Sequence, residues 1–149
     1  MLNNYQRTEN WLAACGKTPN EVGLSVQIGC HLEEIVEFVR TLSVADQELR
    51  STLDTAANFL DTVGNALKKQ VTFAIINPLK RVDALDALCD CEVTGNGVAY
   101  MAEFDKQAGD EAVLASNEDK LVDGKPVILE GGKIGKRPGW TPPDLSNFV

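Results

Sequence analysis

The stretch HLEEIVEFV, residues 31–39, decides how the chain is read. Its apolar residues Leu32, Ile35, Val36 and Val39 recur at spacings of three and four, which places them on one face of a helix. The same nine residues hold three glutamates, Glu33, Glu34 and Glu37. Glu34 and Glu37 are three apart and share a face. A second acidic stretch, DALDALCDCEV at residues 83–93, repeats the arrangement. There Asp86 and Asp90 are four apart on one face, with Asp83 a turn earlier. Like charges at these spacings destabilise a helix by about 0.2–0.5 kcal/mol per pair, and gathering four carboxylates at the edge of a core costs far more. A cation would offset that cost. Oxygen ligands without a cysteine or histidine cluster suit hard Mg2+ or Mn2+. The competing reading takes each acidic pair as solvated surface.

Working outward, the chain reads as helices. A first short helix is expected over residues 4–15 and a long second one over 20–42. The Thr18-Pro19-Asn20-Glu21 sequence opens that second helix with a Thr cap, Pro inside and Glu closing a capping box. A third, over 44–70, carries Leu49, Leu53, Ala56, Leu60, Val63 and Leu67 at helical spacing, and Ser43 with Asp46 marks its start. Asn77-Pro78 opens a fourth, expected over 78–104. Within it, Gly95-Asn96-Gly97 marks close packing, close approach of a ligand or a kink. A fifth short helix is expected over 111–120. Beyond Lys120 the texture turns to Gly and Pro. Val127-Ile128-Leu129 and Lys133-Ile134, around Gly131-Gly132, suggest a hairpin followed by an extended tail. The fold class is therefore all-α: a bundle of about four to five helices with a short C-terminal β-hairpin and tail. It reads as one domain, 1–149, with the bundle over 1–120 and the hairpin and tail over 121–149.

Composition narrows the function. The net charge of -8 argues against a nucleic-acid partner, which needs a basic face. No apolar run reaches the roughly 18 residues of a membrane span, and the N-terminus lacks the order of a signal peptide, so no membrane partner and a cytoplasmic location are expected. Cys15, Cys30, Cys89 and Cys91 are too few for a disulfide scaffold and read as buried reduced thiols. Zinc is disfavoured, because Cys89 and Cys91 point about 200° apart on a helix and His31 is the sole histidine. His31 lies one turn before Glu34, either beside the acidic site or packed in the core.

The ordered set of motifs resembles the MazG-like all-alpha nucleoside triphosphate pyrophosphohydrolases, which include dimeric dUTPases and phosphoribosyl-ATP pyrophosphohydrolase. Glu33-Glu34-Ile35-Val36-Glu37 resembles the E-E-x-x-E helix of that superfamily, and Asp86-Ala87-Leu88-Cys89-Asp90 its second acidic motif. Ser116-Asn117-Glu118-Asp119-Lys120 is similar to an S-N-x-x-K element of phage and bacterial members. Asp123-Gly124-Lys125-Pro126, Gly132-Lys133 and Pro142-Pro143-Asp144-Leu145 are similar to their D-G-K-P, G-K and P-P-D-L elements. The chain departs from the pattern in the long gap between Glu37 and Asp86, and in Asp86 itself, where many members carry Glu.

The resemblance implies cleavage of a (d)NTP between the α and β phosphates, giving the monophosphate and pyrophosphate. It implies Mg2+ or Mn2+, one to three ions per site, on Glu34, Glu37, Asp86 and Asp90. Glu33, Glu34 and Glu37 form the catalytic helix, with Glu33 orienting or activating water or adding a ligand. Asn117, Lys120 and Lys133 hold phosphate, with Lys136 a possible helper. Trp11, Asn10 and Asn96 are the candidates for reading the base, beside core or surface roles for each. Phage-type elements point toward the MazZ-like branch, which acts on dGTP or GTP, in the cytoplasm of a bacterial host if phage-encoded. A homodimer or homotetramer with shared sites is implied. The alternative from another class is a non-catalytic acidic helical interaction protein. A di-iron bundle usually needs Glu-x-x-His pairs, which one histidine cannot supply.

Overall fold

The computed structural model describes residues 2–128 and 134–149. The chain is all-α with a short hairpin. Its elements are α1 (Asn4–Ala14), α2 (Glu21–Thr41), α3 (Gln47–Lys68), α4 (Arg81–Met101), α5 (Lys106–Glu118), β1 (Leu121–Val122) and β2 (Lys125–Pro126), with 3-10 turns at Pro78–Lys80 and Ser146–Phe148. Among the described residues no helix is long and apolar enough to cross a membrane. The chain divides into two compact units, 19–78 and 1–18 with 79–149. The hairpin and tail belong to the same unit as α1, α4 and α5.

The 19–78 unit is an α2–α3 hairpin. Asn20, rather than Thr18, caps α2, its side chain accepting from Gly23 N at 2.8 Å. Asp46 alone caps α3, three residues after the expected start. The two helices cross where Gly29 meets Gly64. A Cβ on Gly29 would lie 2.7 Å from the Gly64 carbonyl oxygen. Ser25, Val36, Ala57 and Leu67 are buried along the seam. The chain after α3 folds back on α2 through Ala74 N donating to Ser25 Oγ at 3.0 Å.

In the other unit, Arg7 on α1 bridges Glu111 and Glu118 on α5. The Asn77-Pro78 start gives a 3-10 turn instead of a capped α-helix, and α4 begins at Arg81 without a side-chain cap. The Gly95-Asn96-Gly97 sequence lies inside continuous α4, and a Cβ on either glycine would meet nothing within 4 Å. Asp105 caps α5, five residues before the expected start. Asp123 and Gly124 both take positive φ between β1 and β2, as a tight Asp-Gly hairpin turn requires. The hairpin expected around Gly131-Gly132 is represented by one bridge, Ile128 with Ile134, its tip lying outside the described residues, and the paired strands β1 and β2 lie just before it. The tail lies on α5 of its own chain: Arg137 pairs with Asp119, Trp140 Nε1 donates to the Ser116 carbonyl at 2.9 Å, and Asp105 N donates to the Phe148 carbonyl.

Buried apolar side chains are few. They are Cys15, Val36, Ala57, Leu67 and Ala99 among the described residues. Helix α4 is the extreme case, being apolar on several sides. Ala99 is its buried residue, whereas Val82, Leu85, Val93 and Tyr100, which share one face with Cys89 and Asn96, are 80%, 64%, 67% and 78% exposed. Two of the four thiols, Cys89 and Cys91, are exposed on this helix, correcting the expectation that all are buried. They are exposed because α4 is open along nearly its whole length, with Ala84 half-buried and Ala99 buried.

Candidate functional site

The acidic residues fall into two groups, one per unit. On α2, burial of Val36 against α3 turns Glu34 and Glu37 outward. Glu33 lies toward α3 and is paired with Lys68 Nζ at 2.6 Å. Glu34 and Glu37 make no ion pair among the described residues. The Glu34 carboxyl is pushed above the usual carboxylate range by burial first, then by the charges of Glu37 and Glu33. His31 is exposed, not packed in the core, and its charge acts on Glu34 in the opposite direction.

On α4 the pattern repeats. Asp83 is paired with Lys80 Nζ at 2.8 Å, one turn from the helix start. Asp86 and Asp90 are exposed and make no ion pair among the described residues. In each case a lysine from outside the helix, Lys68 or Lys80, neutralises the flanking acid and leaves the pair. The donors are carboxylate oxygens only, which fit a hard divalent cation in chemistry. Within either unit, no three His, Cys, Asp or Glu side chains of the described residues converge closely enough to hold one.

The C-terminal end of α5 gathers a different chemistry. Lys120 Nζ donates to Asn117 Oδ1 at 2.7 Å. The same ammonium lies 5.9 Å from the centre of the Trp11 ring and 5.4 Å from that of Trp140. Lys136 Nζ lies 4.2 Å from the Trp140 ring centre. Three residues singled out in the sequence, Trp11, Asn117 and Lys120, thus meet at one place. Asn10 and Asn96 are exposed on α1 and α4 and do not join them. Lys133 lies outside the described residues.

Trp140 was missed in the sequence, and Lys136 was named only as a helper. The signal was the Arg137-Pro138-Gly139-Trp140 sequence. Pro at the second position and Gly at the third favour a type II turn, and Gly139 takes φ +77° with Trp140 N donating to the Arg137 carbonyl at 3.1 Å. That turn aims the indole back at Ser116.

Unit 19–78 also holds an open cleft of about 270 Å³ lined by Val22, Ser25, Gln70, Val71, Thr72 and Phe73. Its lining side chains are uncharged, a mixture of apolar, hydroxyl and amide groups. Comparison of the chain with protein-family models, with curated proteins and with solved structures found no match.

Proposed function

We propose that this protein is a metal-dependent nucleoside triphosphate pyrophosphohydrolase of the MazG-like kind. It cleaves a (d)NTP between the α and β phosphates to give (d)NMP and pyrophosphate, with dGTP or GTP the first substrates to test. The observation that carries this reading is the selective pairing of acids. Glu33 and Asp83 have basic partners, while Glu34, Glu37, Asp86 and Asp90 are left without one among the described residues. Those are the four carboxylates that would hold Mg2+ or Mn2+. The cation, when bound, would neutralise charge on the triphosphate. Glu33 must give up Lys68 before it can accept a proton from water. Asn117 and Lys120 are already hydrogen-bonded to each other, which presents an amide and an ammonium together to a phosphate oxygen.

The large apolar residues that α4 leaves exposed support a homodimer or homotetramer as the working form. The setting proposed is cytoplasmic. The exposure of all four carboxylates equally favours a second reading, a non-catalytic acidic interaction protein. Melting curves separate the two. The enzyme gains melting temperature with Mn2+ or Mg2+ as ligand linkage requires, and Asp90→Asn loses about 10²-fold in hydrolysis while still folding. An interaction protein shows no metal-dependent gain, and an Asp90→Asn variant of undiminished activity would sink the enzyme assignment.

A further inference from the structure

We infer that residues 73–75, in the connection after α3, are an open strand edge on which a second copy of this protein pairs, antiparallel and about a two-fold axis at Ala74. The segment lies within the 19–78 unit. Residues 73–77 run without helix, turn or bend, and their exposure alternates: Phe73, Ile75 and Asn77 are exposed, Ala74 and Ile76 half-buried. That period of two belongs to an extended strand. Among the described residues the paired strands are β1 and β2, so nothing lies beside this one in a ladder. Ala74 N is committed to Ser25 Oγ on α2. Successive residues of a strand turn their N–H and C=O groups to opposite sides, so those of Phe73 and Ile75 point away from α2. They make no hydrogen bond among the described residues. Proteins usually blunt such an edge with charge, Pro or a bulge. Here no charged residue occurs from Gln70 to Leu79, and Pro78 comes only after the open pair. Val22 and Val71 are exposed as well and line one cleft with Phe73, which extends the apolar surface onto α2.

Three features select a second copy as the occupant. The first is charge. A chain of net charge -8 repels its own copies, and this uncharged run lets two of them meet without opposed carboxylates. The second is register. The committed Ala74 N–H cannot enter a ladder, which suits a non-hydrogen-bonded position opposite its own counterpart. Phe73 then stands opposite Ile75 of the partner subunit, and each such pair exchanges both N–H···O bonds. Both open residues of each copy are satisfied in that one register. The third is side-chain fit. On either side of the axis a Phe73 ring lies against the partner's Ile75, an aromatic and β-branched cross-strand pair. The edge therefore complements itself, as a two-fold interface requires. The ladder also has fixed ends: Val71 N is bonded to the Ala66 carbonyl, and Pro78 has no N–H to give. The pairing requires neither metal nor hydrolysis, and α4 belongs to the other unit.

The register is tested by cross-linking the full chain. A two-fold at Ala74 brings the two Ala74 Cα atoms to about 4.5 Å, within disulfide reach. It holds the two Thr72 Cα atoms roughly 14 Å apart, beyond that reach. Ala74→Cys and Thr72→Cys are each made with Cys89→Ser and Cys91→Ser, because those two thiols are exposed. The proteins are oxidised in EDTA with diamide, which takes up the two thiol hydrogens as the sulfurs join. A covalent dimer on a non-reducing gel is expected from Ala74→Cys alone. Sedimentation velocity over a concentration series reads the association itself. Phe73→Lys adds a charge to the edge, and Ile75→Pro removes an N–H that the chain does not use. Each should weaken one association step of the parent at least tenfold, with helix content unchanged by circular dichroism. Cross-linking of Ala74→Cys no greater than that of Thr72→Cys overturns the pairing. So does a parent that stays monomeric, or an oligomer that survives Phe73→Lys and Ile75→Pro unchanged.

Discussion

The Gly29–Gly64 crossing allows a sign to be predicted against the ordinary rule. Gly to Ala inside a helix normally gains about 1 kcal/mol through propensity and lowered freedom of the unfolded chain. At Gly29 the new Cβ would stand 2.7 Å from the Gly64 carbonyl oxygen, 3.0 Å from Leu67 Cβ and 3.0 Å from Lys68 Cγ. Lys68 can swing aside, although it would drag its bond to Glu33. The Gly64 backbone and the buried Leu67 cannot move without separating α2 from α3. Overpacking of this kind costs about 1–3 kcal/mol, and a contact against backbone belongs at or above the top of that range. The net expectation is a loss of about 2 kcal/mol or more, or roughly 4–8 °C in melting temperature for a chain of this size. Gly109→Ala is the control. It lies in α5, and its Cβ would meet nothing within 4 Å. It should raise the melting temperature by roughly 2–4 °C. Thermal circular dichroism in metal-free buffer measures both. A Gly29→Ala variant as stable as Gly109→Ala would refute the close crossing of α2 and α3.

Three further expectations concern charge and thiols. Folding raises the Glu34 pKa, so ionising Glu34 costs stability as pH rises through that value; Glu34→Gln should melt higher than the parent at pH 7 without metal, with the difference gone below about pH 4. Folding lowers the Glu118 pKa through the hydrogen bond from Arg7, so that stability is present above the ordinary carboxylate range and is lost as pH falls through the lowered value. Arg7→Met should therefore lower stability at pH 7 and progressively less in acid, as read by urea denaturation. A thiol reagent should label Cys89 and Cys91 rapidly and Cys15 only on unfolding, because burial both covers the Cys15 thiol and pushes its pKa up.

The helices were legible where periodicity and caps coincide. Residues 4–15 and 20–42 lie within one residue of α1 and α2 at each end. Starts slipped where the cap is a lone aspartate. Asp46 and Asp105 each open a helix without an apolar residue at once to announce it, and the Lys-Gln-Ala-Gly run after Asp105 hid the first turn of α5. The exposed face of α4 was illegible for another reason. Its apolar residues look like a core in sequence, but periodicity says only that they share a face, not that this chain covers it. The acidic pairs were readable from spacing, whereas their freedom from basic partners depends on Lys68 and Lys80, which only the fold assigns to Glu33 and Asp83. The meeting of Trp11 with Lys120 and Trp140 joins residues more than a hundred positions apart, which no local pattern encodes.

The identity of the products tests the central claim most directly. The purified chain is incubated with Mn2+ or Mg2+ and each common NTP and dNTP, with pyrophosphate and orthophosphate assayed separately. Release of pyrophosphate with the matching monophosphate, from dGTP or GTP above the others, is the predicted result. Orthophosphate in place of pyrophosphate, or no release from any nucleotide with metal present, would contradict it.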